Sequence, residues 1–269
     1  MPQTKLRAAF ALCLALASLA SAALAAIPAP LAIIADLDLA KPFAARSPWR
    51  LIASQGPSVD DPIGLNGQIP GAIQLCLRRE QGAACDPALA SKLPGAASDD
   101  LYASAHYLDR AEIVYPRATG EPLLLVQASS IHSGDGDQLR MTQVLAYRSQ
   151  GDRFERVYDH QTGANNNQEV RFIASGPLRG DIISSEPTQN APYGFWITVN
   201  TLAPGQAYKQ ALRYRSATHY GDGNPLAVID SEMANIEQRL GLWKPGLPLP
   251  LPAGACAKPH LVKMELWCS

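Results

Sequence analysis

Leu139-Arg-Met-Thr-Gln-Val-Leu-Ala-Tyr147 places Leu139, Met141, Gln143, Leu145 and Tyr147 on one side of an extended chain. Alternation of that kind marks a strand with one face toward a core. After Gln150-Gly151-Asp152 the chain resumes as Arg153-Phe-Glu-Arg-Val-Tyr158. A Gly-Asp pair between two such runs predicts a hairpin. On the N-terminal side, Leu123–Ala128 is an apolar run. On the C-terminal side, Val170–Ala174 and Asp181–Ser184 flank Ser-Gly-Pro-Leu-Arg-Gly, a turn sequence. Gly194–Leu202 contains Phe-Trp-Ile-Thr-Val, rich in aromatic and β-branched residues. In Tyr208–Ser216, Tyr208, Gln210, Leu212 and Tyr214 alternate with Lys209, Ala211, Arg213 and Arg215.

Short strands separated by turns predict a mainly β fold, an antiparallel sandwich or a small propeller-like arrangement. A single C-terminal helix is expected at about 226–240, from Leu226, Val228, Ile229, Met233, Ile236 and Leu240, with Pro225 before it and Gly241 after it. The Pro-rich run that follows breaks regular structure, and a last strand is expected at Leu261–Trp267.

The N-terminal part reads differently. Lys5 and Arg7 precede an apolar run from Ala8 to Leu19 and a small-residue site at Ala23-Leu-Ala25. This predicts a secretory signal peptide over residues 1–25. The run falls short of the ~20 residues that span a bilayer, so no transmembrane anchor is expected in the mature chain. Residues 26–48 read as an Ala/Pro-rich linker, 49–110 as a loop-rich N-terminal region, and 111–269 as the β domain. Without its first 25 residues the chain keeps 21 basic and 24 acidic residues, a net charge of −3. That balance excludes a nucleic-acid-binding surface built on basic excess. The compartment implied is periplasmic or secreted.

Four cysteines remain after the leader: Cys76, Cys85, Cys256 and Cys268. An even count in an exported chain predicts two disulfides. The local pairing, Cys76–Cys85 with Cys256–Cys268, is expected, because each pair flanks a short stretch that can double back.

Ser129-Ser-Ile-His132-Ser-Gly-Asp135-Gly-Asp137-Gln-Leu139 matches Ser216-Ala-Thr-His219-Tyr-Gly-Asp222-Gly-Asn224-Pro-Leu226 at six of eleven positions. Each copy follows a predicted strand, so each is a strand-end loop, and the pair suggests a duplicated unit. Glycines permit tight turns, and short acids two apart can present oxygens to a hard cation. Asp135, Asp137, Asp222 and Asn224 are therefore candidate calcium ligands. An EF-hand is excluded, because Arg140 and Ala227 replace its glycine, and Ala146 and Met233 its closing glutamate. The same sequences also make ordinary turns without metal. His132 and His219 recur at matched positions and are candidates for acid–base or binding roles. His160 precedes an Asn-rich loop that includes Asn166, whose amides suit sugar hydroxyls.

No Gly-x-Ser-x-Gly elbow, His-Glu-x-x-His helix, phosphate loop or dinucleotide fingerprint occurs. The expected function is a non-enzymatic envelope protein that binds a protein or glycan partner through strand-end loops. An inhibitor or immunity protein against a wall-degrading enzyme is one form of it. The alternatives are a hydrolase using His132 or His219 with a nearby Asp, and a structural envelope protein rigidified by calcium.

Overall fold

The computed structural model describes residues 31–269, apart from 65–66, 91, 94–102, 118–119, 133–137, 165–166, 192, 204–206, 217, 220 and 253. The expected signal peptide lies outside the described residues. Most regular structure is antiparallel β, with one helix near the C-terminus.

The central layer is a four-stranded meander: β6 (Tyr107–Val114), β7 (Leu123–Ser129), β8 (Leu139–Arg148) and β9 (Arg153–Gly163). Every residue of β7 is buried. Antiparallel sheets usually leave one face wet, and a continuous apolar strand is what results when both faces are covered. On one face, Leu124, Val126, Met141 and Leu145 pack against the sheet of β1 (Ala32–Asp38), β2 (Arg50–Gln55) and β5 (Ile73–Arg78). On the other, Leu123, Leu125 and Val144 pack against the sheet of β10 (Glu169–Phe172), β11 (Ile182–Pro187), β12 (Phe195–Leu202) and β13 (Tyr208–Arg215). That third sheet buries Ile183, Ile197, Val199 and Tyr214 against α1 (Val228–Arg239) and the hairpin of β14 (Pro259–Val262) and β15 (Glu265–Cys268). A small ribbon, β3 (Val59–Asp60) with β4 (Gln68–Ile69), completes the chain. Face-to-face stacking of this kind is a sandwich extended by a third sheet.

Two buried glutamines pin the layers. Gln127 donates across to the Val170 carbonyl (2.9 Å) and to Thr142 Oγ1 (3.0 Å). Gln143 faces the other way and accepts from the Ala90 backbone N–H (3.1 Å). Buried amides that lack partners are costly, so each fixes the register of the layer it reaches. Both disulfides join the expected pairs, Cys76–Cys85 and Cys256–Cys268. No described helix is long and apolar enough to cross a membrane.

Three N-terminal and C-terminal expectations are corrected. The segment read as a linker contains β1, which pairs with β2 from Ala32↔Gln55 to Asp38↔Arg50. The region read as loop-rich supplies β2 and β5 of the same sheet, with Trp49 and Leu51 in its core. Both were masked by Pro, Gly and Asp in the connections. The single last strand is instead a hairpin, turning at Lys263 and Met264, whose φ values are 50° and 76°. Positive φ at both central residues is the primed-turn geometry, normally signalled by Asn-Gly.

The β8–β9 turn also anchors the first sheet. Asp152, at φ 48°, accepts from Trp49 Nε1 (3.0 Å), Tyr147 Oη (2.7 Å) and Ser47 Oγ. Burial alone would raise its pKa, but the three donors outweigh it and hold the carboxyl down from 3.8 to about 2. A carboxyl depressed on folding contributes stability above its unfolded value and loses it as pH falls through the folded one. Asp152→Asn tolerates the same backbone and removes only the charge. It should cost about 1 kcal/mol at pH 7, less than the roughly 1.5–3 kcal/mol of a fully buried charge-assisted bond because the cluster is partly open to solvent. Chemical denaturation should show that gap narrowing between about pH 4 and pH 2; a gap independent of pH would contradict the account.

Candidate functional site

Between the central and third sheets the interface is apolar where Val170, Phe172 and Ile182 face the central sheet, and turns polar along the rest of β11 and along β12 and β13. A cleft of about 470 Å³ opens there, between the edge strand β9 and the inner face of the third sheet. Two β-bulges create it. In β9, Val144 pairs with Tyr158 and Leu145 with Arg156, so Val157 is the extra residue. Val157 and Tyr158 consequently both pack toward the third sheet. In β13, Val199 pairs with Leu212 and Asn200 with Gln210, so Ala211 is the extra residue. A bulge reverses the facing of everything beyond it.

The second bulge corrects the alternation expected for Tyr208–Ser216. Leu212 and Tyr214 share one face as expected, toward the helix core, but Tyr208 joins the opposite core and shares the cleft with Arg213. Tyr158 and Tyr208 meet edge to face, with ring centroids 5.7 Å apart, at the boundary between core and cleft. Tyr208 Oη donates to the Gly180 carbonyl (2.8 Å). Tyr158 Oη is buried and has no hydrogen-bond partner among the described residues. Burial first, then the negative charge of Glu186, raise the Tyr158 pKa, so its hydroxyl stays a protonated donor.

His160 Nε2 donates to Glu186 Oε1 (2.7 Å), joining β9 to β11 across the cleft. The hydrogen bond from His160 holds the Glu186 carboxyl below its usual range; burial opposes it, and the Arg213 charge and the Ser184 hydroxyl add to it. Arg213 in turn stacks over the Trp196 ring at 4.8 Å. Thr198, Asn200 and Gln210 complete the wall with neutral donors and acceptors. No hydrogen bond joins Ser184 to His160 among the described residues, so these residues are not ordered as a Ser–His–acid relay. What they offer is a set of hydrogen-bonding groups above two aromatic rings.

The residues singled out in the sequence are dispersed. His160 is in the cleft, inside β9 rather than at its end. His132 follows β7, its ring 6.5 Å from that of Tyr107. His219 and Asp222 are exposed, beyond β13. Asp135, Asp137 and Asn166 lie outside the described residues. The two matching loops are not equivalent in the fold: one joins β7 to β8 inside a sheet, the other joins β13 to α1. In the second, Asp222 Oδ1 accepts from the Asn224 backbone N–H (2.8 Å). Asn224 Nδ2 donates to the Leu266 carbonyl (2.8 Å) and Ser231 Oγ (3.1 Å), and its Oδ1 accepts from the Leu226 backbone N–H (3.2 Å). These oxygens serve the turn that leads into the helix. Among the described residues no group of three or more His, Cys, Asp or Glu is placed to hold a metal ion.

Tyr158, Asn200, Gln210 and Arg213 escaped the sequence reading as a site. The available signal was the polar residues at alternate positions of β12, Thr198 and Asn200, within an otherwise apolar strand.

Asn224→Ala should lower stability by roughly 1–3 kcal/mol, since it removes the two bonds its amide donates, to the Leu266 carbonyl and Ser231 Oγ, and the one it accepts from the Leu226 backbone N–H. Thermal melts should show the same loss in calcium and in chelator; a loss confined to calcium would restore the loop as a metal site.

No family model, curated protein or solved structure matches this chain.

Proposed function

We propose that the protein is exported to the cell envelope and binds a glycan in the cleft between its central and third sheets. The observation that carries this reading is the Tyr158 hydroxyl, a buried donor without a partner among the described residues, at the floor of a concave polar site. A buried unpaired donor costs about 1–3 kcal/mol, and a ligand oxygen would satisfy it. The cleft volume lies in the range of small-ligand sites. Its wall alternates hydroxyls and amides, which both donate and accept, as sugar hydroxyls do. Its floor carries two tyrosine rings suited to the apolar faces of a sugar. Two disulfides in the chain fit an oxidising compartment, and the leader-like N-terminal sequence supports export.

The strand-end loops take a lesser part in this reading than the sequence alone suggests, because Asp222 and Asn224 are occupied by their own turn. His160 and Glu186 position the wall of the site by holding β9 to β11.

Tyr158→Phe separates binding from folding. Removal of an unpaired buried hydroxyl should leave the melting temperature unchanged or slightly raised, while glycan affinity falls about 5- to 10-fold, the value of one hydrogen bond. Isothermal titration with soluble envelope glycan fragments, N-acetylglucosamine oligomers included, would measure it. Binding that is absent in the wild type, or equal in the two proteins, would contradict the proposal.

A further inference from the structure

A second cleft, of about 370 Å³, adjoins the first along the same inter-sheet face. One hydrogen bond links their walls: Tyr208, which lines the polar cleft, donates to the carbonyl of Gly180, which lines the second. The second cleft is built by three arginines from three places in the fold. Arg117 comes from the β6–β7 turn, Arg148 from the end of β8, and Arg179 from the β10–β11 turn.

The two turns are locked together. Gly180 has φ 91° and lies so close to Pro116 that an added Cβ would stand 2.7 Å from the Pro116 carbonyl oxygen. Only glycine fits both the backbone angle and the approach. Arg179 Nε donates to the Tyr115 carbonyl (3.3 Å), a second tie between the turns. Arg148 Nε donates to Glu155 (2.9 Å), which orients its guanidinium. The terminal nitrogens of Arg148 and Arg179, and the whole Arg117 guanidinium, make no bond among the described residues. Of the two acids in the cleft, Asp181 has its carboxyl raised by burial and accepts from Thr201, while Glu121 is exposed at the rim. The unpaired N–H groups therefore outnumber the free acceptors, in a concave site next to a site for neutral hydroxyls.

We infer that Arg117, Arg148 and Arg179 form an oxyanion subsite of the same binding cleft, and that the ligand is an acidic glycan carrying a carboxylate or phosphate substituent. This rests on the glycan reading and adds its charge. Guanidinium forks match both oxyanions, and the bonds are charge-assisted.

Three sugars with one core test it: N-acetylglucosamine, N-acetylmuramic acid and N-acetylglucosamine 1-phosphate, titrated against wild type and against the Arg117→Ala/Arg179→Ala double variant. Arg148 is left intact because it pairs with Glu155, and unchanged thermal melts would confirm folding. The wild type should bind at least one acidic sugar about tenfold more tightly than the neutral one, and the stronger of the two identifies the oxyanion. The double variant should lose that preference and keep its affinity for the neutral sugar. Equal affinity for all three sugars in the wild type, or a preference that survives in the variant, overturns the oxyanion subsite and leaves the glycan reading standing. No binding of any sugar overturns the glycan reading, and this inference with it.

Discussion

The central sheet has no free face, and the rest of the molecule follows from that. A strand buried on both sides must be apolar at consecutive positions, as β7 is from Leu123 to Val126, and must find layers to cover it. The N-terminal strands and the third sheet are those layers. The third sheet then has its own outer face to bury, which α1 and the C-terminal hairpin cover. Charged and polar side chains fix the stacking where hydrophobic contact alone is indifferent to register. Gln127 and Gln143 reach to opposite layers, and Asp152 ties the β8–β9 turn to Trp49. Arg171 joins Glu169 (2.8 Å) to Asp230 (2.5 Å) in the first turn of the helix.

Two sheets packed over their whole width would leave no site. The bulges at Val157 and Ala211 prevent this on the two strands that face each other at the open side. Each adds one residue, turns a tyrosine inward and lets the strand beyond it present polar groups to the gap. The apolar core ends at the Tyr158–Tyr208 contact, and the wall beyond consists of His160, Glu186, Thr198, Asn200, Gln210 and Arg213. Polar groups at such an interface are tolerated when paired, and His160 with Glu186 is. The Tyr158 hydroxyl, which has no partner among the described residues, is the exception.

The sequence carried much of the fold in a readable form. The alternation in Leu139–Tyr147 holds: Met141 and Leu145 face the first sheet while Val144 faces the third. The helix lies at Val228–Arg239, within the span its apolar spacing predicts, and the cysteines pair locally. What was hidden has identifiable causes. A bulge leaves no composition signal, so strict alternation puts Tyr208 on the wrong face. β1 opens among small residues and prolines, and its side chains are mostly exposed, so it lacks the alternation that marks a half-buried strand. The repeated Gly-Asp-Gly loops drew attention because they match, yet they occupy non-equivalent connections. The cleft residues come from β9, β11, β12 and β13, and nothing local in the sequence joins them; of the histidines singled out, only His160 lies in it.

The central claim is that the ligand enters between the sheets rather than meeting the strand-end loops. Backbone amide and tyrosine side-chain resonances of the isotope-labelled protein, followed during titration with soluble envelope glycan fragments, test it directly. The account predicts the largest shifts at Tyr158 to His160, Ser184 to Glu186 and Thr198 to Asn200. Shifts concentrated around His132 and His219, with the cleft unperturbed, would contradict it.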